Sequence, residues 1–466
     1  MRIAVGMPSF APGARMRRSI DAMVAHLVGA GIEVEGFGER DRCAEGGSPP
    51  VFHYLRMAER HRAAPFDTAL YPLGRDASPY QGVFSLMSRF PAAVWFLDPI
   101  VHHLAIGGIA LMEDWAGYRS LLDEAYGDAG GAVAQTVAWN WGTGALYRRY
   151  DLVAAVAASQ PGVLAAWPAL AAQISSRLGG RRVGVVPLAT IDDGGFAGES
   201  PAGAARRSGV NVGPRVVSSA PAAEPGGGKR GAGRRLDVAV MSVNESYATT
   251  AVHAAAAAFE VDPAARVRLC MSKPIYKAEG RGAARRLEID RRIGWELTAS
   301  PESLAGIAAE SDVLLWLSPE LQGGHRQLLI EGLAAGKLTV VPDGALYDDL
   351  PAGAVAKLDL GRALGPELTA LLRATLAGGG LRDGLLENGR GFAAECPGTA
   401  AAAAALAAEL ERLAAAGALQ EMPVSRPVWE RVDREIMDAA SPGGASLAAR
   451  QAIASRLHAT TRPGRR

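Results

Sequence analysis

Residues 311–344 read as strand, glycine loop, helix and strand in succession, and this order constrains the fold more tightly than any other stretch of the chain. Asp312–Leu317 is a short apolar run of the kind buried on both faces of a parallel sheet. A helix follows, with its amino terminus at Gly323-Gly-His325. At such an end the backbone N–H groups lack helical partners and the helix dipole adds partial positive charge, so an anion is favoured. Two glycines let the backbone come close to that anion, as a diphosphate needs. His325 and Arg326 add positive charge, and Gln327 follows on the same helix. Glu331, one to two turns further along, is placed to accept hydrogen bonds from vicinal sugar hydroxyls.

Strand and helix alternate on both sides of this stretch. Residues 2–6 read as a buried strand, and Met16, Ile20, Met23, Val24 and Leu27 follow at helical spacing. Further strands are expected at Thr68–Tyr71, Ala93–Leu97, Gly162–Ala165 and Val183–Pro187. A second series begins at Leu236–Met241 and continues at Arg266–Met271, Asp312–Leu317 and Leu338–Val341. Between the two series the sequence turns to Gly, Ala, Ser, Pro and Arg, a composition that cannot bury a core. The expected class is α/β: two Rossmann-like domains with parallel sheets facing an interdomain cleft, the place where such sheets bind ligands. The expected division is 1–190 for an N-terminal domain on the acceptor side and 191–235 for a flexible linker or insertion. Residues 236–422 form a C-terminal donor domain, and 423–466 form a helical segment, crossing back to the N-terminal domain, with a basic tail.

Charge and cysteine usage exclude several classes. Forty-nine basic residues balance 48 acidic ones, so neither nucleic acid nor an acidic lipid surface is an expected bulk partner. Cys43, Cys270 and Cys396 lie far apart with no CxxC spacing, which argues against a zinc site or a disulfide framework. The start MRIAVGMPSF lacks the h-region of a secretory leader, and no window is long and apolar enough to span a bilayer. A cytoplasmic protein is expected, with peripheral membrane contact left open.

Glu331-Gly-Leu-Ala-Ala-Gly-Lys-Leu-Thr-Val-Val341 resembles the Glu-Ala-Met-Ala-x-Gly-x-Pro-Val-Val element of the GT4-like retaining glycosyltransferases, which have the GT-B architecture. In the N-terminal half, Tyr71-Pro-Leu-Gly-Arg75 resembles the Tyr-x-Leu-Gly-Asn of a recurrent bacterial arrangement. The strand ending at Asp98 resembles its Pro-Gly-Val-Val-Val-Leu-His-Asp, with Leu97 in the place of the histidine. Tyr118 and Tyr126-Gly127 match a following Tyr-x-Gly element. Gly162-Val-Leu-Ala-Ala-Trp167 resembles Gly-Val-Ile-Val-His-Ser without its polar pair, and Val183-Gly-Val-Val-Pro-Leu188 resembles the strand that enters the interdomain linker.

The resemblance implies transfer of a sugar from a nucleotide-sugar to an acceptor hydroxyl, with retention; the sequence has no Asp-x-Asp motif, so neither a metal nor another cofactor is expected. The resemblance carries nucleotide-ribose contact onto Glu331. The family's earlier glutamate falls at Gly323 or Gly324 here, with Glu320 nearby but out of register. The family's paired cations are absent from Met241-Ser-Val-Asn-Glu-Ser-Tyr247, which leaves Lys273, Lys277 and Arg326 as substitutes. Asp98, at a strand end facing the cleft, can orient an acceptor hydroxyl or accept its proton, or else cap its turn. His102 and His103 follow it as catalytic candidates, each also suited to packing. Pro8, Ser9 and Gly13 occupy the first strand-to-helix turn, where the family places a loop beneath donor and acceptor. The acceptor class, whether glycan, lipid, peptide or metabolite, stays open. The alternative is a GT-B protein that has lost turnover and binds a nucleotide or a protein partner.

Overall fold

The computed structural model describes residues 1–417 and 419, apart from 12–13, 76, 109–114, 140, 143, 189–234, 244–246, 272–273, 299–300, 320, 361–363 and 377–379. Seven parallel strands form the N-terminal sheet: β1 (Arg2–Met7), β2 (Glu33–Gly38), β3 (Val51–His53), β4 (Thr68–Leu73), β5 (Ala93–Phe96), β6 (Gly162–Ala165) and β7 (Gly184–Val185). Their order is β3-β2-β1-β4-β5-β6-β7. Ile3 pairs with Val34 on one side and with Thr68 on the other, so β1 is central and its side chains are buried on both faces. That double burial is why Ile-Ala-Val reads as an unbroken apolar run.

The C-terminal sheet has six parallel strands: β8 (Asp237–Val243), β9 (Arg266–Met271), β10 (Ile293–Leu297), β11 (Val313–Trp316), β12 (Leu338–Pro342) and β13 (Ala356–Leu358). They lie in the order β10-β9-β8-β11-β12-β13. Alternate residues of β11 go to different cores, as the period of two requires. Val313 and Leu315 pack with the helices Ala248–Val261 and Leu364–Leu376. Leu314 and Trp316 pack with Pro301–Glu310 and Gly323–Ala334, in a cluster that runs without a break into the N-terminal core. The two domains therefore share one apolar cluster.

The short strands β3, β10 and β13 add to the strands expected from sequence. All three lie at sheet edges, and they span three to five residues, too few for a clear strand pattern. The span 191–235, except Arg235, falls outside the described residues, as does 423–466. A crossing back to the N-terminal domain is already made upstream, by the helix Thr399–Ala415, inside the span expected to belong to the donor domain. Its stripe of Ala402, Ala403, Leu406, Leu410 and Leu413 is buried, and it packs against the helix Arg15–Gly29 and against β4. Glu409 ties it to Arg182. Each leucine buried on this stripe contributes about 1.5–3 kcal/mol. Among the described residues no helix is long and apolar enough to cross a membrane.

Candidate functional site

Both sheets reverse their strand order at one place, between β1 and β4 in the first and between β8 and β11 in the second. Beyond the carboxyl ends of the strands at such a reversal, helices run away on opposite faces and leave a crevice. Arg75 follows β4, Asp98 follows β5, and the helix Gly323–Ala334 follows β11. All three reach the space between the domains.

Asp98 is 7% exposed and its carboxylate is divided between the domains. Oδ2 accepts the backbone N–H of Arg75 at 2.7 Å, and Oδ1 accepts the backbone N–H of Gly323 at 2.8 Å. The second bond puts a carboxylate on the helix end where the sequence leads one to expect a diphosphate. Two glycines permit it. A Cβ at Gly323 would stand 2.5 Å from the Leu97 carbonyl oxygen, and one at Gly74 would stand 2.7 Å from Asp98 Oδ2. Gly324 is buried in the first turn of the same helix.

Around this carboxylate lie Arg75 and the histidines. Arg75 Nη2 donates to Nε2 of His103 across 3.3 Å, and the His103 ring sits 4.5 Å from that of Tyr147. His325 packs 5.7 Å from Trp316, and burial together with the charge on Arg75 lowers its pKa to about 4, although the residue as a whole is only partly buried. His102 is fully buried away from the cleft. Its Nδ1–H donates to the Tyr150 carbonyl, its Nε2 accepts from the Tyr118 hydroxyl, and burial lowers its pKa to about 4. That makes His102 a packing residue and corrects its candidacy for catalysis, because both ring nitrogens are committed inside the domain. Tyr126 is structural in the same way, its hydroxyl accepting the Leu152 N–H at 2.8 Å.

The helix Gly323–Ala334 lies against the helix Arg15–Gly29 of the other domain. Gln327 Nε2 donates to Ser19 Oγ at 3.0 Å, and Glu331 forms an ion pair with Arg15. Arg15 is 3% exposed, and Glu331 keeps 14% of its side chain accessible. Arg326 turns the other way. It makes a two-pronged contact with Asp349, at 3.2 and 2.5 Å, and its guanidinium lies 5.5 Å from the Trp167 ring centre. A buried arginine matched in this way has no charge to spare, so Arg326 does not serve as the expected free cation. Lys277 sends Nζ to the Trp295 carbonyl on β10, away from the helix end, and Lys273 and Glu320 lie outside the described residues.

Pro8 and Ser9 pack on their own domain. The Ser9 N–H donates to the Pro79 carbonyl at 2.8 Å and its hydroxyl to Asp41 at 3.1 Å, while Gly13 lies outside the described residues. The structure thus brings Asp98, His103, Gly323, His325, Gln327 and Glu331 to the domain junction, turns the Arg326 guanidinium on the same helix to Asp349, and leaves His102 and Lys277 apart from them. Among the described residues no three His, Cys, Asp or Glu side chains converge to hold a metal ion.

Three residues that the sequence does not single out as site candidates matter most. Arg75 stands where the resembling motif carries Asn; its backbone N–H donates to Asp98, its guanidinium meets His103, and its charge acts on His325. Arg15 and Ser19 sit four apart on the buried stripe of their helix, beside Ile20 and Met23. A charged residue on a buried stripe needs a partner, and that was the available signal.

No family model and no curated protein matches the sequence. Solved structures do resemble the fold. Sucrose-phosphate synthase from Thermosynechococcus elongatus gives a TM-score of 0.54 at 13% identity, over 90% of this chain and 100% of that one. A glycosyltransferase from Rickettsia africae gives 0.52 at 11%, over 88% and 98%. Anabaena HepE, solved with UDP and glucose, gives 0.51 at 15%, over 89% and 100%. At such identities the likeness is one of architecture: two Rossmann-like domains in the GT-B arrangement.

Proposed function

We propose that this chain, with its GT-B fold, transfers a sugar from a nucleotide-sugar donor to an acceptor hydroxyl, with retention and without a metal ion. The observation that carries the proposal is the bond from Gly323 N–H to Asp98, which marks the helix end as an anion site at the domain junction. The UDP and glucose bound by HepE support a nucleotide-sugar as the ligand.

In this reading the donor diphosphate takes the place of the Asp98 carboxylate at the Gly323 end, and Arg75 neutralises the charge that grows on the leaving phosphate. Asp98, released from Gly323, turns to the acceptor hydroxyl and receives its proton as the glycosidic bond forms. Glu331 leaves Arg15 to bind the ribose hydroxyls. Both exchanges require the domains to part, so donor entry and domain opening are a single event. The protein acts in the cytoplasm.

The test is calorimetric titration with UDP-, GDP-, ADP- and dTDP-sugars, using the unaltered chain and Glu331→Ala. Binding of one nucleotide class, weakened on the order of tenfold or more in the variant, supports a donor site at Glu331. No binding of any of them sinks the transferase reading and leaves a protein that uses this fold to hold a partner.

A further inference from the structure

A nucleoside diphosphate leaves with more than one negative charge, so Arg75 by itself does not balance it, and Arg326 is already matched by Asp349. The turn that follows β8, within Met241-Ser-Val-Asn-Glu-Ser-Tyr247, carries no Lys or Arg. A cation reaches that turn from the other domain. The guanidinium of Arg148 lies 5.8 Å from the centre of the Tyr247 ring.

Arg148 is set in place by its own helix, Gly144–Arg149. The ring of the preceding residue, Tyr147, packs 4.9 Å from His102 and 4.5 Å from His103. Just past the helix, the Tyr150 carbonyl accepts the His102 Nδ1–H bond. The helix is thus fastened to the histidine pair. His103 in turn meets the Arg75 guanidinium, and the Arg75 backbone N–H reaches Asp98.

In the C-terminal domain β8 and β11 are neighbours, with Met241 opposite Trp316. The turns beyond their carboxyl ends hold Tyr247 and Gly323, one on each side of the crevice where the strand order reverses. Arg75 faces the Gly323 side through Asp98, and Arg148 faces the Tyr247 side. An aromatic face attracts a guanidinium without carrying a full charge of its own. This contact, unlike that of Asp349 with Arg326, does not cancel the positive charge.

We propose, on the transferase reading above, that Arg148 is a second cation for the donor diphosphate, supplied by the N-terminal domain to the C-terminal turn that lacks one. Gly323 and Arg148 belong to different domains, so the phosphates hold the two together once the donor is bound.

UDP, GDP, ADP and dTDP, each beside its own nucleoside, are titrated by calorimetry into the full chain and into Arg148→Gln and Arg148→Lys. Thermal melting first shows that each variant is folded. For the nucleotide class that the unaltered chain binds, Arg148→Gln should weaken the diphosphate on the order of tenfold and leave the nucleoside unchanged. Arg148→Lys should recover part of the loss, since it keeps the charge without the planar fork. Added salt should weaken the diphosphate less in Arg148→Gln than in the unaltered chain. Undiminished diphosphate binding in Arg148→Gln, or an equal loss for diphosphate and nucleoside, overturns the proposal and leaves the transferase reading in place. A chain that binds none of the four diphosphates overturns both. Should Arg148→Gln fail to fold, Arg148→Lys decides by the same comparison of diphosphate with nucleoside.

Discussion

The carboxylate of Asp98 accepts a 2.8 Å hydrogen bond from the backbone N–H of Gly323, a residue 225 positions later in the chain and in the other domain. An anion at a helix amino terminus gains about 0.3–1 kcal/mol from the dipole, and up to about 2 kcal/mol where it is partly buried. The chain thus supplies its own anion to the place that a donor phosphate would take. Two negative groups cannot share that end at close range, so one must leave when the other arrives.

Asp98→Asn is therefore expected to separate binding from turnover. With the charge gone, a nucleoside diphosphate should bind on the order of tenfold more tightly, since it displaces a neutral amide. Loss of a charge-assisted bond should lower stability by about 1–2 kcal/mol. Calorimetric titration with UDP and GDP, beside urea unfolding, measures both. Weaker nucleotide binding in the variant would show that Asp98 helps the donor and does not compete with it.

Arg15 and Glu331 allow a second test across the same junction. Removing one member of a buried pair costs roughly 3–5 kcal/mol. Glu331 keeps 14% of its side chain accessible, so Arg15→Ala should cost about 2–3 kcal/mol. The double variant Arg15→Ala with Glu331→Gln should recover part of that loss, because no carboxylate is left without its partner. Urea unfolding of the four forms gives the coupling. Purely additive losses would mean that the pair contributes nothing to holding the domains together.

The parts of the fold that could be read from sequence are those whose cause is local. Ile3, Val5, Val94 and Leu314 announce their strands because both faces of each sheet are covered, and Gly323 announces a helix end because its neighbours have helical periodicity. The site was legible only as far as its own segment. Arg326 beside Gly323-Gly-His325 looks like a free cation until Asp349 is brought to it, and nothing near position 326 in sequence announces that partner. Arg75 was visible as a departure from a motif, yet its meaning depends on Asp98 and His325 meeting it from two other segments. His102 and His103 are neighbours of the same type, and only the packing of Tyr118 and Tyr150 decides that the first is buried and committed.

The histidines fix a pH window. His102 and His325 have pKa values of about 4 in the folded chain, against a usual 6.5. Above that usual value both imidazoles are neutral in the folded and unfolded states alike, and these groups make no contribution to pH dependence. As pH falls below it, the unfolded chain takes up protons that the folded chain refuses, so stability declines until the folded pKa is reached. For the fully buried His102 the whole loss is roughly 3 kcal/mol, and His325, with some solvent contact, adds less. Urea unfolding between about pH 8 and about pH 4 should show a plateau and then this fall. Imidazole resonances of both residues should stay unchanged through neutral pH, and a His102 resonance that titrates near its usual value would refute the buried assignment.

Gly323→Ala tests the closeness of the domains directly. Alanine is the better helix former, so in an isolated helix this change would stabilise by about 1 kcal/mol. Here the new methyl would stand 2.5 Å from the Leu97 carbonyl, with Leu188 and Met16 next nearest, and the first of these is backbone that cannot rotate away. The Asp98 bond would lengthen and the junction would open. Overpacking of this kind costs about 1–3 kcal/mol. The expected result is a lower melting temperature together with a larger radius of gyration by small-angle scattering, both arising from separation of the domains. A variant that melts at or above the unaltered chain with the same radius would mean that Gly323 does not touch the N-terminal domain in solution.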